Sequence, residues 1–383
     1  MHFNISSYEL LEKLSNVSKS ILKNPILPIL ENFLFEITKN NLNILASDLQ
    51  TSIDVNIKIK SEENIKIIIP SKILMNTLKN LKNQNINFFV NKKKNIIEIK
   101  SNNGLYKISC EKYSSFPKIS EPNKGLLINI ESSVFKKAIS HTIDICSSDE
   151  LKSNINGVCV NFNDSNTEFI ATDGYRLVKY TIEDIKTENE KTIIIPRKCI
   201  LLINSIIENK KNNIEIKINE NNIYFNINEY KIISKLIKER YPDYEDVIPK
   251  NNKSIINVNR KEILSSIKRV SIFSNQMSNL VKIKVFKKNI KIFTENNDFF
   301  NSASEEVECE YNGNNMCIGF NAKLLISLID NINSNEIEIK TSNPNKACII
   351  KPIKQNKEED LILVIMPIII NKDIPEAELG NNQ

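Results

Sequence analysis

The sequence predicts an α+β protein of three tandem copies of one domain, each with two helices on about eight antiparallel strands. Three observations carry this. The first is a strand-and-turn signature. Residues 167–170 alternate before Ala171-Thr172-Asp173-Gly174-Tyr175-Arg176-Leu177, Asn43-Ile44-Leu45 leads into Ala46-Ser47-Asp48-Leu49, and Ile290-Lys291-Ile292-Phe293 leads into Thr294-Glu295-Asn296-Asn297. Asp48 to Asp173 is 173 − 48 = 125 positions, and Asp173 to Asn297 is 297 − 173 = 124. The second is an apolar strand broken ahead of a helix at Pro70, Pro196 and Asn321, with steps of 196 − 70 = 126 and 321 − 196 = 125. The third is the pair closing each copy: Phe116-Pro117, Tyr241-Pro242 and Met366-Pro367, with proline steps of 242 − 117 = 125 and 367 − 242 = 125. A period this long describes whole domains and not stacked solenoid units.

Each copy opens on a helix. Ser6-Ser7-Tyr8-Glu9 is a capping-box pattern ahead of Leu10, Leu11, Leu14, Val17 and Ile21 on one face. Ser132-Ser133 starts the second, with Val134, Phe135, Ala138, Ile139, Thr142 and Ile143 on its apolar side. Asn259-Arg260-Lys261-Glu262 starts the third, with Ile263, Leu264, Ile267, Val270 and Phe273. A second helix follows each break, at Ser71-Lys72, Arg197-Lys198 and Ala322-Lys323. Runs such as Ile96-Ile97-Glu98-Ile99, Ile214-Glu215-Ile216-Lys217-Ile218 and Ile337-Glu338-Ile339-Lys340 alternate with a period of two and read as strands. The domains are read as 1–122, 123–252 and 253–370, followed by a polar, acidic tail over 371–383 expected to be disordered.

Length and composition suit this plan. At 383 residues the chain is too long for one core. The net charge of +6, from 52 basic and 46 acidic residues, permits a polyanionic partner without demanding one. Seven cysteines form no CxxC pair and read as buried free thiols in a reducing cytosol. The start shows no signal region, and no apolar run approaches the ~18 residues of a membrane span, so a cytoplasmic protein is expected.

No catalytic apparatus is legible. His2 and His141 lie far apart, no GxGxxG or GxxxxGK[ST] occurs, and the seven glycines never cluster. Asp173 beside Thr172, Tyr175 and Arg176 invites a catalytic reading, but an Asp before Gly more often bonds its own backbone in a turn, and Asp48 repeats the pattern. The chain reads as a non-enzyme, with no cofactor and no metal site.

Quoted in order, Leu27-Pro28-Ile29-Leu30 with Asn32, Ser47-Asp48-Leu49, Phe116-Pro117, Asn156-Gly157, Ala171-Thr172-Asp173-Gly174 with Arg176-Leu177, Ile195-Pro196-Arg197-Lys198, Pro242-Asp243-Tyr244, Pro249-Lys250, Ser274-Asn275, Gly319-Phe320-Asn321 and residues 364–367 resemble the bacterial DNA polymerase III beta subunits, the sliding clamps. The resemblance covers the chain up to Ile370. It implies clamp domains and a head-to-tail homodimer closing into a six-domain ring, helices lining the hole. It also implies a processivity factor that encircles duplex DNA without sequence specificity. Its partners are the polymerase alpha subunit, the clamp loader, other polymerases and repair proteins, and not a membrane.

Basic residues recur at matching places: Lys136 and Lys137, then Lys268 and Arg269, opposite the apolar stripes; Lys72, Lys79, Arg197, Lys198 and Lys323 on the second helices. Each alone reads equally as a solvated lysine. Together they suit phosphates, which carry no sequence information. Two family DNA-contacting loops read 149–154 and Lys23-Asn24 here. Their usual aromatics and arginine are absent, leaving Lys152 and Lys23 as candidates.

The resemblance further implies a peptide groove walled by Ile155, Thr172, Gly174, Tyr175, Arg176, Leu177, Pro242, Val247, Leu363, Val364, Met366, Pro367 and Ile368. An apolar slot with Met for plasticity suits Leu/Phe-bearing peptides. Asp246 stands where the family commonly has a basic residue, and Ile368-Ile369-Ile370 replaces its usual ending. For the subunit interface we expect the edge strand over 105–110 with Tyr106 and Lys107, and the helix end Ile272-Phe273 with Glu305.

Overall fold

The computed structural model describes residues 2–370 except 23–24, 92, 114–115, 117–124, 189, 208–211 and 297. Lys23, the landmarks Pro117 and Asn297, and the tail 371–383 therefore lie outside the described residues.

The first repeat runs β1 (His2–Ser6), α1 (Ser7–Val17), β2 (Asn32–Ile37), β3 (Asn41–Ser47), β4 (Thr51–Lys58), β5 (Ile65–Pro70), α2 (Ser71–Lys79), β6 (Asn85–Asn91), β7 (Ile96–Lys100), β8 (Leu105–Ser109) and the short β9 (Glu111–Lys112). The second runs β10 (Leu126–Glu131), α3 (Ser132–Thr142), β11 (Gly157–Phe162), β12 (Thr167–Thr172), β13 (Arg176–Ile182), β14 (Lys191–Pro196), α4 (Arg197–Ile206), β15 (Asn213–Ile218), β16 (Asn222–Ile227) and β17 (Tyr230–Lys235). The third runs β18 (Ser254–Asn259), α5 (Arg260–Ser271), β19 (Leu280–Val285), β20 (Asn289–Asn296), β21 (Asn301–Tyr311), β22 (Met316–Asn321), α6 (Ala322–Asp330), β23 (Glu336–Thr341), β24 (Cys348–Pro352) and β25 (Glu359–Ile365). One order, strand–helix–four strands–helix–three strands, is written three times.

Local chemistry starts the helices where the sequence places them. The Ser6 hydroxyl accepts the Glu9 N–H, the Asn259 side chain accepts those of Lys261 and Glu262, and the Asn321 side chain accepts that of Leu324. Pro70 and Pro196 occupy the corresponding N-cap positions without a side-chain bond. Helix α1 ends at Val17 in a 3₁₀ turn, so Ile21 falls beyond it, and Phe273 lies just past α5.

Two compact units result. One holds Met1–Ile139 with Ile193–Lys238; the other holds Ser140–Thr192 with Glu239–Gln383. The middle repeat is shared between them because strand pairing crosses repeat borders. In the first unit β10-β15-β16-β17 continues through β4-β3-β2-β5-β9, joined where Ile232 faces Ile53 and Ser234 faces Thr51. A separate sheet, β1-β6-β7-β8, ends on β8. In the second unit β11-β12-β13 continues through β25-β24-β23-β18, joined where Leu177 faces Val364, and then through β21-β20-β19-β22.

The strands' alternation buries one apolar face under the helices. In the first unit α1 packs on α2 with Leu10, Leu14 and Val17 buried, and Phe3 stacks on Phe88 at 4.8 Å. In the second unit α5 packs on α6, burying Ile263, Ile267 and Val270. All seven cysteines are free, five of them buried and Cys309 and Cys317 half-buried. Among the described residues no helix is long and apolar enough to cross a membrane.

Candidate peptide-binding groove and nucleic-acid interface

The β12–β13 hairpin is built by its own polar side chains. Asp173 Oδ1 accepts the backbone N–H of Tyr175 (3.0 Å) and of Arg176 (3.1 Å), while Oδ2 accepts Arg176 Nε at 2.9 Å. Thr172 Oγ1 accepts the Gly174 N–H and donates to the Arg176 carbonyl. Gly174 sits at φ +93°, where a side chain is strained even though a Cβ would meet nothing within 4 Å. Asp173 is therefore a turn former whose carboxylate is fully engaged. Arg176 Nη2 also donates to the Asp144 carbonyl at 2.9 Å, while its Nη1 is buried without a hydrogen-bond partner among the described residues.

This turn presents an apolar surface. Tyr175 is 63% exposed, and its carbonyl accepts the Met366 N–H at 2.9 Å, bringing Met366, 44% exposed, alongside. The Ile368 N–H bonds the Gly319 carbonyl, which fixes Pro367 and Ile368 along the same border. The buried Tyr241 ring lies against the Thr172 backbone, so Pro242 follows at the groove, with Val247 45% exposed. Four predicted wall residues are corrected: Ile155, Leu177, Leu363 and Val364 are buried core. Leu177 and Val364 face one another in the β13–β25 ladder, where consecutive residues (Leu177-Val178 and Leu363-Val364-Ile365) are buried and both faces are covered, while Ile155 is buried on the 3₁₀ turn Ser153–Ile155. Of the residues predicted to wall the groove, Thr172, Gly174, Tyr175, Arg176, Pro242, Val247, Met366, Pro367 and Ile368 are half-buried or exposed.

Sequence reading missed what holds the 241–247 wall. Tyr244 OH donates to Glu168 Oε2 (3.0 Å) and accepts from Asn161 Nδ2 (2.8 Å), and Lys179 Nζ sits 2.7 Å from both Glu168 and Glu245. Burial alone would raise the Glu168 carboxyl, but hydrogen bonds from Lys179, Asn161 and Tyr244 hold it below the ordinary carboxylate range. Burial and the neighbouring Glu168 charge raise the Tyr244 phenol. The only signal in the sequence was the Pro242-Asp243-Tyr244 motif, since the partners lie on strands dozens of residues away.

The basic residues divide. Lys198 is a correction: its Nζ forms an ion pair with Asp48, whose side chain is only 3% exposed, so this part-exposed lysine is engaged at a hairpin and is not a free cation. Lys136 donates to the Ile207 carbonyl at 3.0 Å and is half-buried. Arg197 is half-buried, its Nε without a hydrogen-bond partner among the described residues. Lys268 pairs with Asp330 at 3.2 Å, and Arg269 grips Glu305 through two bonds of 2.7 and 2.6 Å, all at the surface. Lys137 is half-buried. Lys72, Lys79, Lys152 and Lys323 are exposed and make no ion pair among the described residues.

Among the described residues two strand edges bear on the expected subunit interface. β8 is the last strand of its sheet, with Leu105, Tyr106 and Lys107 exposed. β21 pairs with β18 only through residues 309–311, so over 301–308 it pairs on one side alone, with β20. Near this second edge Ile272 and Phe273 are exposed, and so are Met277, Phe299 and Phe300, which sequence reading did not single out. Asn275 Nδ2 bonds Asp298 Oδ2 at 3.0 Å, tying the Met277 loop to the Phe299 loop.

The N-terminal, central and C-terminal domains of the DNA polymerase III beta subunit match residues 1–120, 129–243 and 245–368 in turn. The chain belongs to the DNA polymerase III beta subunit family. The beta sliding clamp of Pseudomonas aeruginosa is 26% identical over 371 residues, spanning 96% of this chain and 100% of that one. That of Buchnera aphidicola from Rhopalosiphum padi is 27% identical over 368 residues, again 96% and 100%. Among solved structures, a P. aeruginosa sliding clamp bound to griselimycin matches with a TM-score of 0.90 at 25% identity, covering 97% of this chain and 100% of that one. The Bacillus subtilis sliding clamp gives 0.91 at 21%, covering 97% and 99%, a likeness of fold. In family and fold the chain is a beta-type sliding clamp of three tandem clamp domains.

Proposed function

We propose that the chain is the non-catalytic processivity clamp of a replicative DNA polymerase, in which two copies close head to tail around duplex DNA. The observation that carries this is a joint used twice. The last strand of the second repeat pairs with the fourth strand of the first (β17 on β4), and the last strand of the third pairs with the fourth of the second (β25 on β13). The rule leaves β8, a last strand, and β21, a fourth strand, each with the corresponding joint unmade among the described residues of one chain. A second copy supplies both partners, and two such joints close a ring. The edges differ in charge: Lys107 lies on β8, 3.0 Å from Glu98 of the adjoining strand, and Glu305, held by Arg269, lies on β21 with Glu306, Glu308 and Glu310. Leu105 and Tyr106 meet the apolar Ile272 and Phe273 in this arrangement.

The exposed lysines 72, 79, 152 and 323, with Lys137, Lys268 and Arg269, offer phosphate contacts that do not read bases, so the clamp holds DNA by enclosure and slides. The groove takes short apolar peptides of the polymerase alpha subunit, the clamp loader, other polymerases and repair proteins in the cytoplasm. We place the domain limits at 1–122, 123–252 and 253–370, just ahead of the first strands of the second and third repeats, β10 at Leu126 and β18 at Ser254. The test is retention on DNA after loading. The loaded clamp stays on a nicked circle and runs off once that circle is linearised; equal loss from both forms excludes enclosure. Its mass in solution is expected to be that of a dimer, and a monomer's mass overturns the ring.

A further inference from the structure

The groove described above has an uneven electrostatic border, and the unevenness identifies its occupant. The 241–247 wall belongs to the segment Glu239-Arg240-Tyr241-Pro242-Asp243-Tyr244-Glu245-Asp246-Val247, four acids against one base. Ser153 Oγ donates to Glu239 Oε1 at 3.1 Å, which ties this segment to the loop carrying Asp149, Glu150 and Lys152. Together the two stretches hold 4 + 2 = 6 acids and 1 + 1 = 2 bases. The nearby cation that could offset them is already taken: Lys179 lies 2.7 Å from Glu168 and 2.7 Å from Glu245, leaving that trio with a net negative charge. On the β12–β13 hairpin Arg176 is spent on Asp173 at 2.9 Å. Asp243 and Asp246 are exposed, make no ion pair among the described residues, and flank the two apolar wall residues Pro242 and Val247.

We propose that this wall selects peptides whose apolar Leu/Phe core is flanked by lysine or arginine. The inference rests on the groove reading above and adds the chemistry of the flank. The core fills the slot beside Tyr175, Met366 and Val247; the flanking cations lie over Asp243 and Asp246. Because the carboxylates stand at a wet rim, they act mainly on encounter and choice between partners, and the apolar core supplies the bulk of the affinity.

The experiment uses three fluorescein-labelled peptides of one Leu-Ser-Leu-Phe core flanked on both sides by Lys-Lys, Gln-Gln or Glu-Glu, titrated with the full chain by fluorescence anisotropy. The Gln-flanked peptide binds and loses affinity with Met366→Ala, which reports the groove itself. The Lys-flanked peptide binds about five-fold tighter than the Gln-flanked one at low salt, the gain a few exposed charge pairs give, and the Glu-flanked one weaker. The spread collapses near 1 M salt, where the screening length falls to about 3 Å. The double variant Asp243→Lys with Asp246→Lys reverses the order while leaving the Gln-flanked peptide's affinity in place. Equal binding of all three peptides overturns the charge selection and leaves the groove standing. Failure of the Gln-flanked peptide to bind, or indifference to Met366→Ala, overturns both.

Discussion

Asp48 and Asp173 occupy the same place in two hairpins. Asp48 Oδ1 accepts the N–H groups of Gln50 and Thr51, as Asp173 does those of Tyr175 and Arg176, yet the ion-pair partners differ: Lys198 for Asp48, Arg176 for Asp173. In the third repeat Asn296 Oδ1 accepts the Asp298 N–H, beside the landmark Asn297, which lies outside the described residues. Asp173→Asn retains the turn but gives up the charge on Arg176, and is expected to lower stability by about 1 kcal/mol with the chain still folded. Lys198→Ala strands a buried carboxylate; we expect about 2 kcal/mol of destabilisation in a thermal melt, less than for a fully buried pair because Lys198 is part-exposed. Its retention on circular DNA is expected to match the parent's. Leu49 takes the position of Gly174 and the same left-handed backbone, at φ 71°. Leu49→Gly is therefore expected to stabilise by up to about 1 kcal/mol, read as a rise in melting temperature.

Among the elements, helix starts were legible because their determinants are local: Ser6 and Asn259 cap the turn that follows them in sequence. The groove's outward residues were half legible. A strand's alternation separates Leu177 from Arg176, but which face is covered depends on β25 arriving beside β13. The Glu168 network fixes the 241–247 wall, and its acid response has a definite sign. The carboxyl is held below its ordinary pKa in the fold, so its contribution is present above the unfolded value near 4.3 and is lost as pH falls through the lower folded value. Titration from pH 5 to 3 is expected to destabilise the parent more steeply than Glu168→Gln, whose wall is already loosened and whose peptide affinity at neutral pH is lower. At the open edge, Tyr106→Asp places a charge beside acidic β21 of the second copy and is expected to shift the solution mass from dimer to monomer, with the melting transition of the monomer otherwise cooperative.

For the whole molecule, enclosure and contact separate experimentally. Removing Lys72, Lys79 and Lys323 together by Ala is expected to leave residence on a closed circle intact. The same change weakens direct binding to linear duplex evenly across sequences and flattens its salt dependence. The sequence by itself determined the triplication, the helix starts, the alternating strands and the turn chemistry, because each depends on residues within a few positions of one another or on a period that can be counted. Only the tertiary structure decided that β17 joins β4 and β25 joins β13, that Lys198 is spoken for by Asp48, and that four aliphatics thought to wall the groove are core. Those facts depend on which strands meet across a hundred residues or more, and pairing at that distance is chosen by the burial of whole faces, which no local pattern records.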